Sequence, residues 1–493
     1  MKRKSIYITC LGALLTFSGC KKILEVQPEN QLDAAIALSD INGYQALLMS
    51  VYDRLQSYTY YGRDMALMGD ALADNIFTHT ANASGRYVGQ NANTRSSHYN
   101  VWTNVYSGIN ELNTIIATID KFTTLSGTQA TLQKQIKAEA YALRGMMYFD
   151  LARIYGYEPG KVPTTGSNAN FDKSAVIRLK PTAGVGDAVS IPRSNITDTY
   201  TAIEADMNAA IAGFKAIGTS KPANPYRFSE SAAHAIFGKI LLYESKWAQA
   251  VTEFDNALNA NITPSTLAPI AAGGYSAAFK RIPNPESLLE LYYNQSVEVT
   301  GVTGSNDGLF TYTTPATAAL STFGGQTVSD ELYSLFSAGD DRLAMFYTSA
   351  STRSAVVMRW TNKYSAAGGP YTDDVWIIRY SDIILMKAEA LANQGQYATA
   401  AGLVVQLRAS RNAGTTITVP TDASLLSFIQ DERRRELFFE GHRWFDLKRT
   451  GSNITKPLAT AVGTIAYTDY RLLAPLPVAE ATFNPALPQN PNY

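Results

Sequence analysis

Between residues 376 and 412 the apolar positions follow the spacing of an amphipathic helix rather than the alternation of a strand. Ile383, Leu385 and Met386 carry this pattern in the first half, and small residues such as Ala400 run through the second half. Gly395 interrupts the run, which predicts a turn. We therefore expect two antiparallel helices in this stretch.

The same pattern occurs a second time, earlier in the chain. In both places an aromatic residue, an alanine, a large apolar residue and a small residue or leucine follow one another at one spacing, typical of a tetratricopeptide repeat. Such helix pairs stack because one pair alone cannot bury its apolar face. The pattern predicts a mainly α fold, a tetratricopeptide-like helical repeat superhelix; two unrelated amphipathic hairpins are the alternative. The matching positions are Tyr397, Ala400, Val404 and Leu407 beside Trp247, Ala250, Phe254 and Ala257, and Ala388 and Leu391 beside Gly238 and Leu241.

The remaining periodicity divides the mature chain into four parts. Residues 39–260 are predicted to form the N-terminal part of the repeat domain, interrupted by a polar loop insertion at 78–99. Periodicity fades over 261–375, where Gly, Thr, Ser and Pro are frequent, so we expect an irregular ligand-binding insertion with short strands. Residues 376–450 return to repeat helices, and the Pro-rich segment 451–493 is expected to be an extended tail packing on the core.

The N-terminus carries a secretion signal. Lys2, Arg3 and Lys4 precede an apolar run too short to remain in a bilayer as a spanning helix, so residues 1–19 are interpreted as a signal peptide. The small residues Ser18 and Gly19 directly precede Cys20, which resembles a bacterial lipobox, with Cys20 as the acylated first residue. Residues 20–38 would then form a lipid-anchored tail, and membrane attachment would come through this lipid.

The charge of the chain argues against nucleic acid as a partner. The full sequence has 42 basic and 42 acidic residues, and removal of the signal leaves 39 against 42, a net charge of −3. Neither a basic patch nor a basic helix is present in the sequence. No stretch after Cys20 is long and apolar enough to span a membrane.

Aromatic and polar residues in the two irregular regions are the candidate ligand contacts. Sugars present apolar C–H faces and hydroxyl rims, which suit flat amphipathic rings beside Arg, Asn and Asp. Each ring taken alone is more often a packing residue, but a set of rings in polar loops favours recognition. The candidates are Arg86, Tyr87 and Tyr99 in the first region and Phe310, Tyr312 and Phe323 in the second.

The charged run at residues 431–449 is interpreted as a structural helix and turn. Paired carboxylates there could in principle serve acid–base chemistry, but the many arginines beside them would hold the acids ionised. The four histidines show no metal-binding spacing, and Asp340-Asp341 and Asp373-Asp374 are interpreted as solvated acids, so we predict no catalytic residue, metal or cofactor. The ion pairs predicted from helical spacing are Asp431 with Arg435, Glu440 with Arg443, and Asp446 with Arg449.

Taken together, these segments resemble the SusD/RagB family of outer-membrane lipoproteins. The Glu-Gly-x-Arg-Trp-x-Asp-Leu-x-Arg run is the most specific motif, and the resemblance extends over almost the whole chain in the family's order. One departure is Asn492, where the family usually has Gly; Asn tolerates left-handed backbone angles, so the same turn can form. The residues that carry the resemblance are Ser18-Gly19-Cys20; Trp102, Tyr106, Ile109 and Asn113; Glu139, Ala140, Leu143, Arg144, Tyr148 and Tyr155-Gly156; Arg379-Tyr380 and Lys387-Ala388-Glu389-Ala390-Leu391; Glu432-Arg433, Glu436-Leu437, Glu440-Gly441, Arg443-Trp444 and Asp446-Leu447-Lys448-Arg449; and Gln489-Asn490-Pro491-Asn492-Tyr493.

The resemblance implies a binding protein rather than an enzyme. Family members sit over a TonB-dependent SusC-like outer-membrane transporter, capture oligosaccharides or, in some branches, peptides, and pass them inward. The motifs are scaffold residues in that family, so they assign no ligand contact here. The tail after Cys20 is less acidic than in many exported lipoproteins, so surface exposure is implied by the family alone. A peptide-binding member, a repeat scaffold that binds only protein, and a lipoprotein glycosidase remain the alternatives.

Overall fold

The computed structural model describes residues 34–78, 84–218, 221–294, 307–315, 322–349, 358–414 and 417–493. The signal peptide, Cys20 and most of the predicted tail therefore lie outside the described residues. Long helices dominate the described chain, and their apolar faces meet in one large core with a smaller satellite core at the C-terminal repeat. The prediction of a mainly α repeat fold is confirmed.

The helices and strands are numbered here in chain order. The helices are α1 (Ala34–Ala37), α2 (Ile41–Leu55), α3 (Asp64–Leu72), α4 (Val88–Asn91), α5 (Trp102–Thr118), α6 (Gly127–Tyr155), α7 (Ile196–Ile217), α8 (Glu230–Tyr243), α9 (Trp247–Ala257), α10 (Tyr275–Ala278), α11 (Leu309–Thr313), α12 (Asp330–Tyr333), α13 (Tyr380–Ala392), α14 (Tyr397–Ala409), α15 (Leu425–Leu437), α16 (Arg443–Arg449) and α17 (Val478–Phe483). The strands are β1 (Ile76–Thr78), β2 (Ser287–Leu291), β3 (Gln326–Val328), β4 (Phe346–Ser349), β5 (Met358–Thr361), β6 (Val375–Arg379), β7 (Ile454–Thr455) and β8 (Thr464–Ile465).

Short polar side chains begin three of the repeat-domain helices. The side chain of Asp40 accepts a hydrogen bond from the backbone N–H of Gly43 at 2.9 Å, at the start of α2. Asn195 and Ser229 begin α7 and α8 in the same way. Each cap satisfies one backbone donor that the first helical turn leaves unpaired, which fixes where the helix begins.

The two predicted repeat pairs pack as the small-residue pattern requires. In the first pair, a Cβ added at Gly238 on α8 would lie 2.6 Å from the Phe254 ring on α9, so only glycine fits under that ring. In the second pair, Ala388 on α13 and Val404 on α14 are fully buried. Close approach of the helices therefore depends on the small residues that mark the repeat.

The second repeat begins later than the sequence pattern predicted. Helix was expected from Trp376, but residues up to Arg379 form β6, which pairs antiparallel with β2 so that Leu291 faces Val375. The run from Val375 to Ile378 is buried throughout. A short, continuously apolar run fits a buried strand as well as a helix, and pairing with β2 decides between them.

The two irregular regions are joined to each other. Strand β1, at the start of the predicted loop insertion, pairs antiparallel with β3, so that Ile76 faces Val328. A second hairpin, β4 with β5, aligns Phe346 with Thr361. Short strands were expected within residues 261–375, and β2 and β5 lie there. Pairing of β1 with β3 helps to bring residues 84–87 beside residues 307–315 and 322–323.

The C-terminal segment packs on α6, and it contains α17 and the β7–β8 hairpin besides extended chain. The side chain of Asn490 donates to the Tyr155 carbonyl at 3.1 Å and accepts from Arg193 at 2.7 Å. The backbone N–H of Ala474 donates to the Ile154 carbonyl at 3.0 Å. Asn492 has a φ of 65°, the left-handed conformation expected at the position where the family has Gly.

Candidate functional site

Four of the six predicted ligand contacts lie together where the two irregular regions meet. Arg86 and Tyr87 precede α4, Tyr312 lies on α11, and Phe323 precedes β3. The Tyr312 ring centroid is 6.0 Å from that of Tyr87 and 5.4 Å from that of Phe323. Two further charged residues complete the group. The arginine–tyrosine cluster consists of Arg63, Arg86, Tyr87, Asp307, Tyr312 and Phe323.

Two guanidinium groups converge on one carboxylate in this cluster. Arg63 Nη1 lies 2.7 Å from Asp307 Oδ2, and Arg86 Nη2 lies 3.0 Å from Asp307 Oδ1. The hydroxyl of Tyr312 donates to Asp307 and accepts from Arg86 Nε, the latter at 2.7 Å. The side chain of Arg86 is 38% exposed and that of Asp307 31% exposed. Polar edges of the cluster therefore reach solvent.

The environment of Asp307 keeps its carboxylate charged. Burial alone would raise the pKa of Asp307, but the hydrogen bond from Tyr312 and the arginine charges outweigh it, so this pKa lies below its ordinary value. Burial and the hydrogen bond to Asp307 raise the pKa of Tyr312 to about 12. At neutral pH the cluster thus presents a carboxylate, a phenol hydroxyl and guanidinium donors, a set that suits hydroxyl-bearing ligands.

Tyr87 is the buried member of the cluster that positions Arg63. Its φ of 64° is left-handed, which costs a non-glycine residue roughly 1–2 kcal/mol. Its hydroxyl donates to Asp64 Oδ1 at 2.6 Å and accepts from Arg63 Nε at 3.0 Å. Only 2% of the residue is exposed. The strained backbone directs this ring inward, where it orients Arg63.

The other two predicted contacts have different surroundings. Tyr99 is 1% exposed and packs in the core, with its ring centroid 5.7 Å from Phe445 and 5.7 Å from Trp444. Phe310 shares α11 with Tyr312 and is half-buried, and its backbone N–H donates to Asp373 Oδ2 at 3.0 Å. Phe310 therefore borders the cluster through its helix, whereas Tyr99 is a packing residue of the core.

Arg63, Tyr58 and Asp307 were missed by the sequence analysis. The Arg63 guanidinium lies between the rings of Tyr58 and Tyr312, at 5.6 and 5.7 Å from their centroids. Arg63 follows a tyrosine-rich turn that has no helical period, and this composition is the available sequence signal. Nothing in the spacing connects it to residues more than two hundred positions away, because that link depends on tertiary folding.

A second group of exposed rings was also missed. Tyr226 and Tyr292 have ring centroids 4.9 Å apart and planes at 33°, and Tyr292 is 41% exposed. The Gln56 side chain donates to the Tyr292 carbonyl at 2.8 Å, and the Tyr293 hydroxyl donates to the Gln56 carbonyl at 2.9 Å. Gln56 leads directly into the turn that carries Tyr58, so this pair borders the arginine–tyrosine cluster along the same segment.

The charged run at 431–449 belongs to the interior rather than to a surface helix. Glu436 Oε1 lies 2.8 Å from Arg379 Nη1 and 3.0 Å from Arg411 Nη2, and all three groups are at most 1% exposed. Burial alone would raise the pKa of Glu436, but the arginine charges hold it well below its ordinary value. The buried ion network consists of Glu286, Asp340, Arg342, Lys363, Arg379, Arg408, Arg411, Glu432, Arg435, Glu436 and Glu440.

Two of the three predicted local ion pairs are wrong. Arg435 pairs with Glu432 at 2.8 Å instead of Asp431. Arg443 pairs with Asp74 at 2.7 Å, which ties α16 to the turn after α3. The pair of Asp446 with Arg449, at 2.8 Å, is confirmed. Helical spacing predicts only partners within one helix. Buried charges, in contrast, pair with whichever opposite charge the tertiary fold places beside them.

Two carboxyl groups with raised pKa values lie in the interior. Burial raises the pKa of Asp70 to about 7 and that of Glu290 well above its ordinary value, but both carboxyls are 0% exposed. Within the described ranges no three His, Cys, Asp or Glu residues are grouped as metal ligands would be. Asp340 and Asp374, predicted to be solvated, are 3% and 5% exposed, and Asp340 binds Arg342 at 2.8 Å.

Among the helices of the described segments, none combines the length and apolar content needed to cross a bilayer.

Comparison with curated proteins finds relatives over the full length. SusD-like protein P38 of Formosa agariphila is 26% identical, with 100% of this chain and 99% of the relative covered. SusD-like protein P2 of the same organism is 24% identical over 99% of this chain and all of the relative.

Solved structures match the fold. A SusD superfamily protein from Bacteroides thetaiotaomicron superposes with a TM-score of 0.78 at 23% identity, covering 92% of this chain and 100% of that one. A laminarin-binding SusD-like protein gives a TM-score of 0.69 at 23% identity, with the same coverage. These likenesses confirm the helical repeat architecture.

Two family models match at the two ends of the chain. Residues 22–242 match a model described as starch-binding and associating with the outer membrane. Residues 343–493 match the model of the SusD family. The scaffold motifs quoted from the sequence lie almost entirely within these two matches. The chain therefore belongs to the SusD/RagB family of outer-membrane-associated, glycan-binding proteins.

Proposed function

We propose that this protein is a lipoprotein, anchored through Cys20 at the outer-membrane surface, that binds oligosaccharides and delivers them to a TonB-dependent SusC-like transporter. Family membership supports the general role, since the model matching residues 22–242 describes starch-binding proteins of the outer membrane. The observation that carries the proposal for this chain is the convergence of Arg86, Asp307 and Tyr312 at a partly exposed edge beside aromatic rings.

The cluster offers both kinds of contact that a sugar requires. Arg86 and Asp307 expose planar donor and acceptor groups, which can bind adjacent hydroxyls in pairs. Phe310 and Phe323 are half-buried beside them and supply apolar ring faces. Tyr312 is itself 1% exposed, so it holds Arg86 and Asp307 in place rather than stacking on ligand.

Binding by the isolated protein should be weak. If each stacked ring contributes about 0.5–1.5 kcal/mol, the two rings give at most about 3 kcal/mol, less than the roughly 4.1 kcal/mol of a millimolar complex. Capture would then gain from closure over the transporter, which adds contacts and raises the effective concentration of ligand.

The first experiment is a binding screen with the soluble protein that begins after Cys20. Neutral and charged polysaccharides, oligosaccharides and peptides are tested by calorimetry, and every mixture is analysed for products. We expect binding to a glycan without turnover. Shortened products would instead support the glycosidase, binding of peptides alone the peptide-binding branch, and no ligand at all the protein-binding scaffold.

The site is tested with one variant and one matched control. Arg86→Ala removes a side chain that is 38% exposed and paired with Asp307. Arg54→Ala removes a similar side chain, 33% exposed and paired with Glu111, between α2 and α5. The proposal requires that the first change weakens glycan binding and the second does not. Equal affinity for both variants would place the site elsewhere.

Anchoring and partnership are tested in cells. Cys20→Ser should release the protein from the outer membrane if Cys20 carries the lipid. Crosslinking of the intact chain should recover an outer-membrane transporter, and uptake of the bound glycan should require both proteins. A protein that stays membrane-bound after Cys20→Ser, or supports uptake without a transporter, would contradict this part of the proposal.

A further inference from the structure

The charges of the arginine–tyrosine cluster are balanced when Asp64, which pairs with Arg63, is counted with it. Arg63 Nε lies 2.8 Å from Asp64 Oδ1, while Arg63 Nη1 lies 2.7 Å from Asp307. Arg86 is 3.0 Å from the same Asp307 carboxylate. Two guanidinium groups therefore face two carboxylates. From this balance we infer that the site takes electrically neutral glycans and excludes chains that carry uronate or sulfate groups. The inference rests on the proposed function, because it specifies the ligand class of that site.

An anionic sugar would have to compete with a carboxylate that is already in place. Both exposed polar groups, Arg86 and Asp307, belong to the same ion pair. A sulfate or carboxylate bound to Arg86 would lie beside Asp307, whose charge repels it. Asp307 holds its proton weakly, since its pKa is below the ordinary value, so this repulsion persists at neutral pH.

Neutral hydroxyl groups meet no such obstacle. A guanidinium and a carboxylate that are paired still have N–H donors and oxygen lone pairs to share with further partners. Adjacent hydroxyls on a sugar can donate to Asp307 and accept from Arg86 without changing the charge of the site. A charge-balanced pair with partly exposed edges is thus suited to a neutral polyol.

The overall charge of the chain favours neutral ligands as well. After removal of the predicted signal peptide the chain carries a net charge of −3. Binding of anionic polymers typically relies on clustered positive charge, which this net charge does not favour.

The test compares neutral glucans, such as laminarin and starch, with alginate and a sulfated galactan at low and high salt. For the wild-type protein we expect binding to a neutral glycan that changes less than about twofold with salt, because uncharged contacts are not screened. Asp307→Asn leaves an excess positive charge at the site, so anionic glycans should gain at least about tenfold in affinity at low salt and lose this gain at high salt.

Asp255→Asn is the matched control. It makes the same change in net charge at a surface ion pair with Lys387, and it should leave the preference unaltered. Salt-sensitive binding of anionic glycans by the wild type would overturn the inference but leave the proposed function standing. A folded Asp307→Asn protein without any gain for anions would also overturn it. If that variant melts early, the salt dependence of the wild type decides alone. Binding of no glycan by the wild type would reject the proposed function itself.

Discussion

The buried ion network and the arginine–tyrosine cluster are built from the same groups and differ in exposure. Arg342 and Glu436 in the network are 0% exposed, whereas Arg86 and Asp307 in the cluster are 38% and 31% exposed. Both contain arginines paired with carboxylates beside aromatic rings. In the network the oppositely charged groups hydrogen-bond to one another and are shielded from water. Exposure to solvent, rather than residue type, therefore distinguishes the scaffold from the candidate site.

This difference separates stability from binding. Breaking a buried pair leaves a charge without its partner in a medium that solvates it poorly, which costs several kcal/mol. Breaking a partly exposed pair lets water replace the partner, so stability changes by about 1 kcal/mol or less. Changes in the network should therefore affect the free energy of unfolding, and changes in the cluster should affect affinity.

The largest effect is expected for Glu436→Gln. This change removes a carboxylate that lies 3.1 Å from Arg342, 2.8 Å from Arg379 and 3.0 Å from Arg411. We expect a loss of about 3–5 kcal/mol in the free energy of unfolding, measured by chemical denaturation. Glu111→Gln, which loses a partly exposed pair with Arg54, is the control and should cost about 1 kcal/mol or less. Similar losses for both variants would contradict the difference in stability expected between buried and partly exposed ion pairs.

Acid should weaken the network over a defined pH range. Burial alone would raise the pKa of Glu432, but the charge of Arg342 and its neighbours lowers it from 4.5 to about 2. A lowered pKa in the folded state stabilises the protein fully above pH 4.5, and this stabilisation is lost as the pH falls towards 2. For this one group the loss amounts to about 3 kcal/mol. Denaturation curves at successive pH values measure it.

Glu432→Gln gives the control for that titration. It is less stable at neutral pH, because Arg342 and Arg408 lose a charged partner. It has no carboxyl to protonate at this position, so its stability should fall less steeply below pH 4.5 than that of the wild type. Parallel curves for the two proteins would show that Glu432 does not titrate as the network requires.

The repeat scaffold was largely predictable from the sequence, whereas the network was not. The contact of Gly238 with the Phe254 ring follows from local helix packing, and the repeat spacing along the chain predicts it. The partners of Glu432 and Arg443 are set by tertiary folding, and the pair of Arg443 with Asp74 spans 369 positions. Helical spacing therefore predicted which helices carry the charged residues, but it predicted the wrong ion-pair partner for Arg443.

The candidate site was predicted only in part, for a related reason. Aromatic residues in polar loops indicated Arg86, Tyr87, Tyr312 and Phe323, and these do lie together. The same criterion also selected Tyr99, which is 1% exposed in the core, because composition does not report burial. Arg63 and Asp307 are 244 positions apart and meet only in the folded chain, so no local sequence pattern indicates that they belong to the cluster.

At the cluster, Arg86→Ala should weaken glycan binding about tenfold or more while the free energy of unfolding changes by about 1 kcal/mol or less. Hydrogen bonds from charged groups contribute about 1.5–3 kcal/mol each, which corresponds to at least about a tenfold change in affinity. Asp307 keeps Arg63 as a partner at 2.7 Å, so no buried charge is left alone. Calorimetric titration and thermal unfolding of the same samples measure the two quantities. A large loss of stability would assign Arg86 to the scaffold.

The smallest effect is expected for Tyr312→Phe, which keeps the ring and removes only the hydroxyl between Arg86 and Asp307. Loss of that bridge should weaken affinity about fivefold and stability by about 1 kcal/mol. Tyr148→Phe is matched to it, since it removes a buried hydroxyl that donates to the Arg178 carbonyl at 2.6 Å, and it should lower stability alone. If the hydroxyl acts by holding Arg86, adding Tyr312→Phe to Arg86→Ala should weaken binding no further. Additive losses would mean that the hydroxyl acts through Asp307 or touches the ligand itself, and not through Arg86 alone.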